Sequence, residues 1–418
     1  MSLEILIIAE EIRSGAMVDS NGAYIARKLT EKGIEVTRYS AIGNNPNDII
    51  NFLKEMSQRS NIAVVIGGQK TIGEYLKLAA VAKEKDVSVS PDTQALVSIE
   101  NQFKSHNRPL THCNKEKAML LPSDTHFLRN PVGETSDCHF KIGQCAFFIL
   151  PGVPSEMRKM MQEQVIPWII NIQETTKDVR LIKTLSTFGL TESAMRDHVD
   201  DFNQLFPQIK ISYRTNFPGI QVNLYRFGTD REDVHVQMKA ASQWIHRKLG
   251  KMIISDIGES IEKVVGDLLG QKQAHLAIAE SCTGGLIADL LTNVPGSSGY
   301  FVFSAVTYSN QLKMKILGVT AQTLDRYGAV SEQTAQEMAR GVQQISDSTY
   351  GLSVSGIAGP GGATNGKPVG TVCIGLASSD FVRGRRFCFN FNDRWMNKYI
   401  FATTALDLLR QELLGIIH

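Results

Sequence analysis

The feature that most restricts the fold is an alternation of short apolar runs with longer helical patterns over the first 170 residues. "LEILIIAEE" reads as a strand, "NGAYIARKLTEKG" as a helix, "EVTRYSAIG" as a strand, "NDIINFLKEMSQRS" as a helix and "NIAVVIGG" as a strand. Strands separated by helices of ten or more residues build βαβ units and a mostly parallel sheet. Ligands of such sheets sit beyond the carboxyl ends of the strands. "VIGGQKTIGEY" is one such end, and its two glycines either admit a phosphate or simply turn the chain. The chain runs from "MSLE" straight into the first strand. It has no basic segment and no small-residue cleavage site there, so a buried strand is expected and not a signal peptide.

The texture then changes twice. Between about 171 and 255, "RLIKTLSTFGL", "IKISYRTNFPGIQVNLYRFG" and "HVQMKAASQWIHRKLG" read as a small α+β connecting unit with antiparallel strands. From about 256, "GESIEKVVGDLLGQKQ" places Ile261, Val264, Val265, Leu268 and Leu269 at helical spacing. "AHLAIAE", "SAVTYSN", "YGLSVSGIAG" and "VGTVCIGLAS" read as strands. "SEQTAQEMARGVQQIS" is a helix capped by Ser331, and "NKYIFATTALDLLRQELLG" is a closing helix. The expectation is an α/β multidomain chain divided at 1–170, 171–255 and 256–418. A length of 418 residues suits two or three domains. A net charge of +2 gives no reason to expect a nucleic-acid or membrane-surface partner. No run of about twenty apolar residues predicts a membrane helix. The cysteines, Cys113, Cys138, Cys145, Cys282, Cys373 and Cys388, form no C-x-x-C pair. Reduced cytosolic thiols are expected, without a zinc site or a disulfide framework.

Polar chemistry gathers at "AIAESCTGG". Ser281 stands where a strand gives way to a helix, and the N–H groups of a helix start can hold an oxyanion. It is either a nucleophile or a helix cap. Cys282 is a rival nucleophile, since thiols at helix starts ionise readily. A nucleophile needs a base. From 256 onward the histidines are His275, inside a strand, and His418, at the chain end, so a Ser-His-Asp triad is not expected. "TYSNQLKMKILG" offers Tyr308, Ser309 and Asn310, with Lys313 one turn later. A lysine serves as base only where burial or a nearby cation lowers its pKa far below about 10.4. Otherwise Lys313 is a solvated lysine and Tyr308 a packed strand residue. "SGIAGPGGATNGKPVG" carries four glycines between Gly356 and Gly362, a phosphate-binding loop or a surface loop. Arg394 in "FNDRWMNKY" is either a phosphate-binding fork or a surface cation.

"AESCTGGLIADLLTNVPGSSGYF", "VTYSNQLKMKILGV", "YGAVSEQTAQEMARG" and "SVSGIAGPGGATNGKPVGTV" closely resemble the C-terminal domain of the CinA (competence/damage-inducible protein) family, over about 256–418. The resemblance implies a nicotinamide mononucleotide deamidase of pyridine-nucleotide salvage and NAD recycling. Such an enzyme releases nicotinate mononucleotide and ammonia through a Ser/Lys pair, without a cofactor. Carried onto this sequence, the catalytic residues are Ser281, Lys313 and Tyr308. The substrate is lined by Glu280, Thr283, Gly284, Gly285, Ser297, Ser298, Asn310, Ser355, Gly356, Ala358, Gly359 and Arg394. Glu280 orients either the lysine or a substrate hydroxyl. Ser297, Ser298 and Ser355 stay open as nucleophiles or substrate contacts. The family usually has a second arginine four residues after Arg394; Lys398 stands there, keeping the charge and losing the fork.

"SGAMVDSNGAYIARKL", "NKEKAMLLPSD", "NPVG" and "LPGVPSEMRKMM" resemble the family's N-terminal domain, an α/β sandwich like that of molybdopterin-binding proteins. A KH-like connector is implied between the two. In members that cleave ADP-ribose the loop after the third strand reads GGLGPT-x-DD-x-T. Here it reads "GGQKTIGEYLK", with Glu74 and Tyr75 for the aspartates and Lys77 for the last threonine. Ala9 and Glu10 replace a usual Gly and Asp, and "NPVGETSDC" departs from NPVGTAPG. Catalytic cations need several oxygen ligands. The expectation is therefore a scaffold that has lost ADP-ribose pyrophosphatase activity, with no well-made site for a divalent metal or K+. The alternatives are a bifunctional protein that still hydrolyses ADP-ribose and a non-catalytic regulator linked to competence or DNA damage. The resemblance further implies a cytoplasmic homodimer acting on a small molecule, with no membrane and no direct nucleic-acid partner.

Overall fold

A computed structural model describes residues 2–67, 126–133, 137–174 and 179–416. The chain divides into two compact units, 1–182 with 227–234 and 183–226 with 235–418.

The first unit is built on a six-stranded sheet of order β2-β1-β3-β6-β5-β4. β1 (Leu3–Ile8) runs parallel to β2 (Val36–Ile42) and β3 (Ile62–Gly67), and β3 runs parallel to β6 (Cys145–Pro151). β5 (Asp137–Ile142) and β4 (His126–Leu128) complete the sheet in antiparallel fashion. Every residue of β1 is buried, as a strand covered on both faces demands. Leu3, Ile5 and Ile7 face a cluster with Ile25 and Leu29 of α1 (Asn21–Glu31). Leu6 and Ile8 face Ile49, Leu53 and Met56 of α2 (Pro46–Arg59) on the other side. Glu4, 4% exposed, escapes isolation because Arg59 and the Ser60 hydroxyl donate to it. At the carboxyl end of β1, Glu10 is held by Arg13. Glu74, Tyr75, Lys77 and "NKEKAMLLPSD" lie outside the described residues.

A four-stranded sheet follows, of order β10-β7-β9-β8, from β7 (Val179–Thr187), β8 (Ile209–Asn216), β9 (Gly219–Gly228) and β10 (Ile253–Ser255). β8 and β9 form an antiparallel hairpin with Phe217 and Pro218 at its tip. The helix after it, α3 (Arg231–Leu249), is the one read from "HVQMKAASQWIHRKLG".

The third sheet has the order β12-β11-β13-β14-β15. β11 (Leu276–Glu280) is central and pairs in parallel with β12 (Phe301–Val306) and β13 (Tyr350–Gly356). β14 (Thr371–Ala377) and β15 (Val382–Cys388) add antiparallel strands. Leu276 and Ile278 belong to a cluster with Val265 of α4 (Ile261–Gln271), Ile287 of α5 (Leu286–Thr292) and Phe401. Ala277 and Ala279 belong to another, with Leu317 of α6 (Asn310–Leu317) and Met338 of α7 (Glu332–Ser346). α8 (Arg394–Leu413) brings Phe401 into the first cluster. β12 and β13 leave β11 in opposite directions, so a crevice opens at the carboxyl end of β11, where α/β proteins place ligands. β15, "VRGRRFC", was not among the expected strands. Among the described residues no helix is long and apolar enough to cross a membrane.

Candidate active site

Ser281 is the first residue beyond β11. Its N–H donates to the Val354 carbonyl at 3.0 Å, so the strand register carries it to the crevice. The chain then reverses within four residues, with Gly284 and Gly285 at φ +65° and +94°. A side chain rarely adopts that backbone, so glycine is the residue suited to so tight a junction. Glu280 is fully buried and accepts from the N–H groups of Gly285 (2.9 Å), Ile287 (3.3 Å) and Ala288 (3.0 Å). It therefore caps α5 across the turn. Neither role expected for it, orienting the lysine or a substrate hydroxyl, matches these bonds: its neighbours are backbone donors that need an acceptor. Neither the Cys282 nor the Thr283 N–H donates to a backbone carbonyl among the described residues; that of Cys282 faces its own thiol.

Lys313 reaches the same point from the neighbouring strand. β12 runs parallel to β11, so the helix that follows it begins beside Ser281. Ser309 caps α6 by accepting from the Leu312 N–H at 3.2 Å. One turn in, Lys313 is 1% exposed. Its Nζ donates to Ser281 Oγ at 3.0 Å, to the Thr307 carbonyl at 2.7 Å and to the Tyr308 carbonyl at 3.3 Å. Burial lowers its pKa from the ordinary 10.5. The reading of Lys313 as a solvated lysine is corrected by this geometry. Tyr308 is likewise no packed strand residue, being 62% exposed. Its hydroxyl accepts from Arg394 Nη2 at 3.2 Å, and the Tyr308 atom that touches Lys313 is the backbone carbonyl.

Other expected residues separate by position. Cys282 is buried, and burial pushes its thiol up to about 12. It packs in the core as a protonated thiol, which corrects its reading as a rival nucleophile. A Cβ on Gly356 would stand 2.8 Å from the Thr371 carbonyl and 3.1 Å from Cys282 Sγ, so the close approach of turn and strand requires glycine there. Ser355 is 1% exposed and donates to the Ala329 carbonyl at 2.7 Å, which corrects its reading as nucleophile or substrate contact. Ser297 and Ser298 precede β12, whereas Ser281 follows β11. Because the two strands are parallel, these serines lie at the other end of the sheet, about 16 Å away for five residues of strand. That removes them from the Ser281 site within this chain.

Asn310 opens α6 and is exposed. The loop after β13 is tied down at its root. The Ala358 carbonyl accepts from Asn397 Nδ2 at 3.0 Å, and the Gly359 carbonyl accepts from Arg394 Nη1 at 2.5 Å. Arg394 is the first residue of α8, and Asp393 caps that helix through the Met396 N–H at 2.7 Å. Lys398, one turn on, holds its ammonium 3.6 Å from where a Cβ of Gly284 would sit. Thr283 and Thr307 are fully buried, with hydroxyl oxygens that have no partner among the described residues. Thr307 and Asn397 were not foreseen. Asn397 sits three residues after Arg394, a spacing that puts both near one helix face; nothing local marks Thr307. Among the described residues no group of three or more His, Cys, Asp or Glu could hold a metal ion.

Residues 258–413 match the model of the CinA C-terminal domain, and residues 4–171 match that of the probable molybdopterin binding domain. A CinA-like protein of Desulfosudis oleivorans is 40% identical across 99% of this chain and 100% of its own length. The chain belongs to the CinA-like family. CinA-like proteins of Desulforapulum autotrophicum and Shewanella amazonensis are 40% and 35% identical, each over 99% of this chain and covered to 99% and 96%. The fold is accordingly α/β throughout, molybdopterin-binding-like at the N-terminus and CinA at the C-terminus. The Ser281–Lys313 pair, the Gly-rich loop and the Arg394–Lys398 cations all fall within the CinA domain match.

Proposed function

We propose that the CinA domain is an amidohydrolase that converts nicotinamide mononucleotide to nicotinate mononucleotide and ammonia. The observation that carries this reading is the 3.0 Å contact between a buried lysine and the serine at the head of the crevice. In its neutral form the amine keeps two hydrogens on the Thr307 and Tyr308 carbonyls and turns its lone pair to Ser281. Ser281 Oγ then attacks the carboxamide carbon, and Lys313 takes the hydroxyl proton. The N–H groups of Cys282 and Thr283 are the donors available to the oxyanion. The tetrahedral intermediate collapses, the C–N bond breaks, and Lys313 passes its proton to the departing ammonia. Water then attacks the acyl ester; Lys313 takes its proton and returns it to Ser281. Arg394 and Lys398 supply two cations for the substrate phosphate. The substrate itself is taken from the family resemblance.

The test is ammonia release from nicotinamide mononucleotide, without added metal. The expected outcome is turnover by the wild-type chain and a loss of at least about a hundredfold in kcat for Ser281→Ala and for Lys313→Ala. A wild-type chain inert toward this substrate overturns the proposal.

A further inference from the structure

We infer that the connecting segment is a brace for α8, and that Phe217 at its hairpin tip is a positioning residue for Arg394 and Lys398. This deepens the amidase reading and rests on it for its kinetic arm. The connector holds α8 at both ends. Near the start of the helix, the Phe217 ring meets Phe391 edge-on at 5.3 Å, Trp395 at 6.1 Å and Tyr399 at 6.5 Å. Trp395 and Tyr399 themselves lie 5.1 Å apart. Toward the far end, Arg410 is 2% exposed. It donates to the Lys251 carbonyl at 2.7 Å and the Ile253 carbonyl at 3.2 Å, while Asp407 holds its Nε at 2.9 Å. Along the helix axis Arg410 lies about 22 Å from Trp395.

The first grip falls beside the site. Trp395 and Tyr399 form one stripe of α8. Arg394 and Lys398 form the adjacent stripe, about 100° around the helix. Arg394 bonds the Gly359 carbonyl and the Tyr308 hydroxyl, and Lys398 approaches Gly284. A helix is stiff over one turn, so a rotation at Trp395 and Tyr399 moves both cations. Ser281 and Lys313 are held by β11, β13 and α6, and among the described residues neither hydrogen-bonds to α8. The brace therefore acts on the end of the site that would hold the phosphate and leaves the Ser–Lys pair in place.

Hydrogen–deuterium exchange on the full chain tests the brace. In Phe217→Ala the amides of 396–401 are expected to exchange at least about tenfold faster, with those of α5 unchanged. Phe217→Tyr keeps the aromatic ring against Phe391, Trp395 and Tyr399 and should exchange at the wild-type rate. With nicotinamide mononucleotide as substrate, Phe217→Ala should raise KM about tenfold and leave kcat within about twofold. Unchanged exchange at 396–401 overturns the inference, as does faster exchange throughout the unit. Faster exchange at 396–401 with an unchanged KM overturns the positioning role. If the wild-type chain does not turn over the substrate, the amidase reading fails, and exchange alone decides whether the brace exists.

Discussion

Lys313 is the residue whose surroundings decide the chemistry. Its ammonium has three hydrogens and meets three oxygens, so charged and neutral forms are both accommodated without moving the side chain. Burial disfavours the charged form, so the proton leaves at a lower pH than from a lysine in water. Below that lowered pKa the amine is charged and cannot take the Ser281 proton. Activity is therefore expected to fall as the pH falls through it. A profile of kcat/KM against pH should rise on a single ionisation that lies below 10.5. Lys313→Arg should lose at least about a hundredfold in kcat/KM at every accessible pH, because a guanidinium stays protonated. A profile flat in pH, or an arginine variant that works, would contradict the base assignment.

At the scale of elements, the junction of β11 and α5 depends on one carboxylate. Glu280→Gln keeps a single acceptor oxygen for three N–H groups and removes a negative charge from a helix start. The expected cost is about 1.5–3 kcal/mol. Calorimetry should show the melting temperature of the second unit lowered by roughly 4–8 °C. The junction also shows what the sequence could reveal. The apolar runs of β1, β3 and β11 are long enough to mark buried strands by themselves, and the Ser331 cap marks α7. β15 escaped notice because an edge strand with Arg383, Arg385 and Arg386 has no apolar run to read. Ser281 and Lys313 were each visible as residue types in motifs. Their contact was not, because it spans 32 residues and depends on the parallel pairing of β11 with β12. Glu280 was misjudged because its three donors lie five to eight residues ahead, on a helix start that exists only once the turn has formed.

For the whole molecule, among the described residues, the buried clusters around β1 and β3 contain no residue beyond Ile169, and those around β11 contain none before Phe188. Two cores of this kind unfold as two cooperative events. Scanning calorimetry should resolve two transitions. Nicotinate mononucleotide at about a hundred times its Kd should stabilise the second unit alone by about 2.7 kcal/mol. A single transition that moves as one would contradict this. Separate cores also separate the histories of the two halves. Leu3 and Ile66 pack in one cluster and Ile278 and Phe401 in another, so a substitution that loosens the first acts on the second through no shared core contact. A lineage can then revise the packing around Leu3 and Ile66 on one schedule and that around Ile278 and Phe401 on another, like two texts bound in one cover.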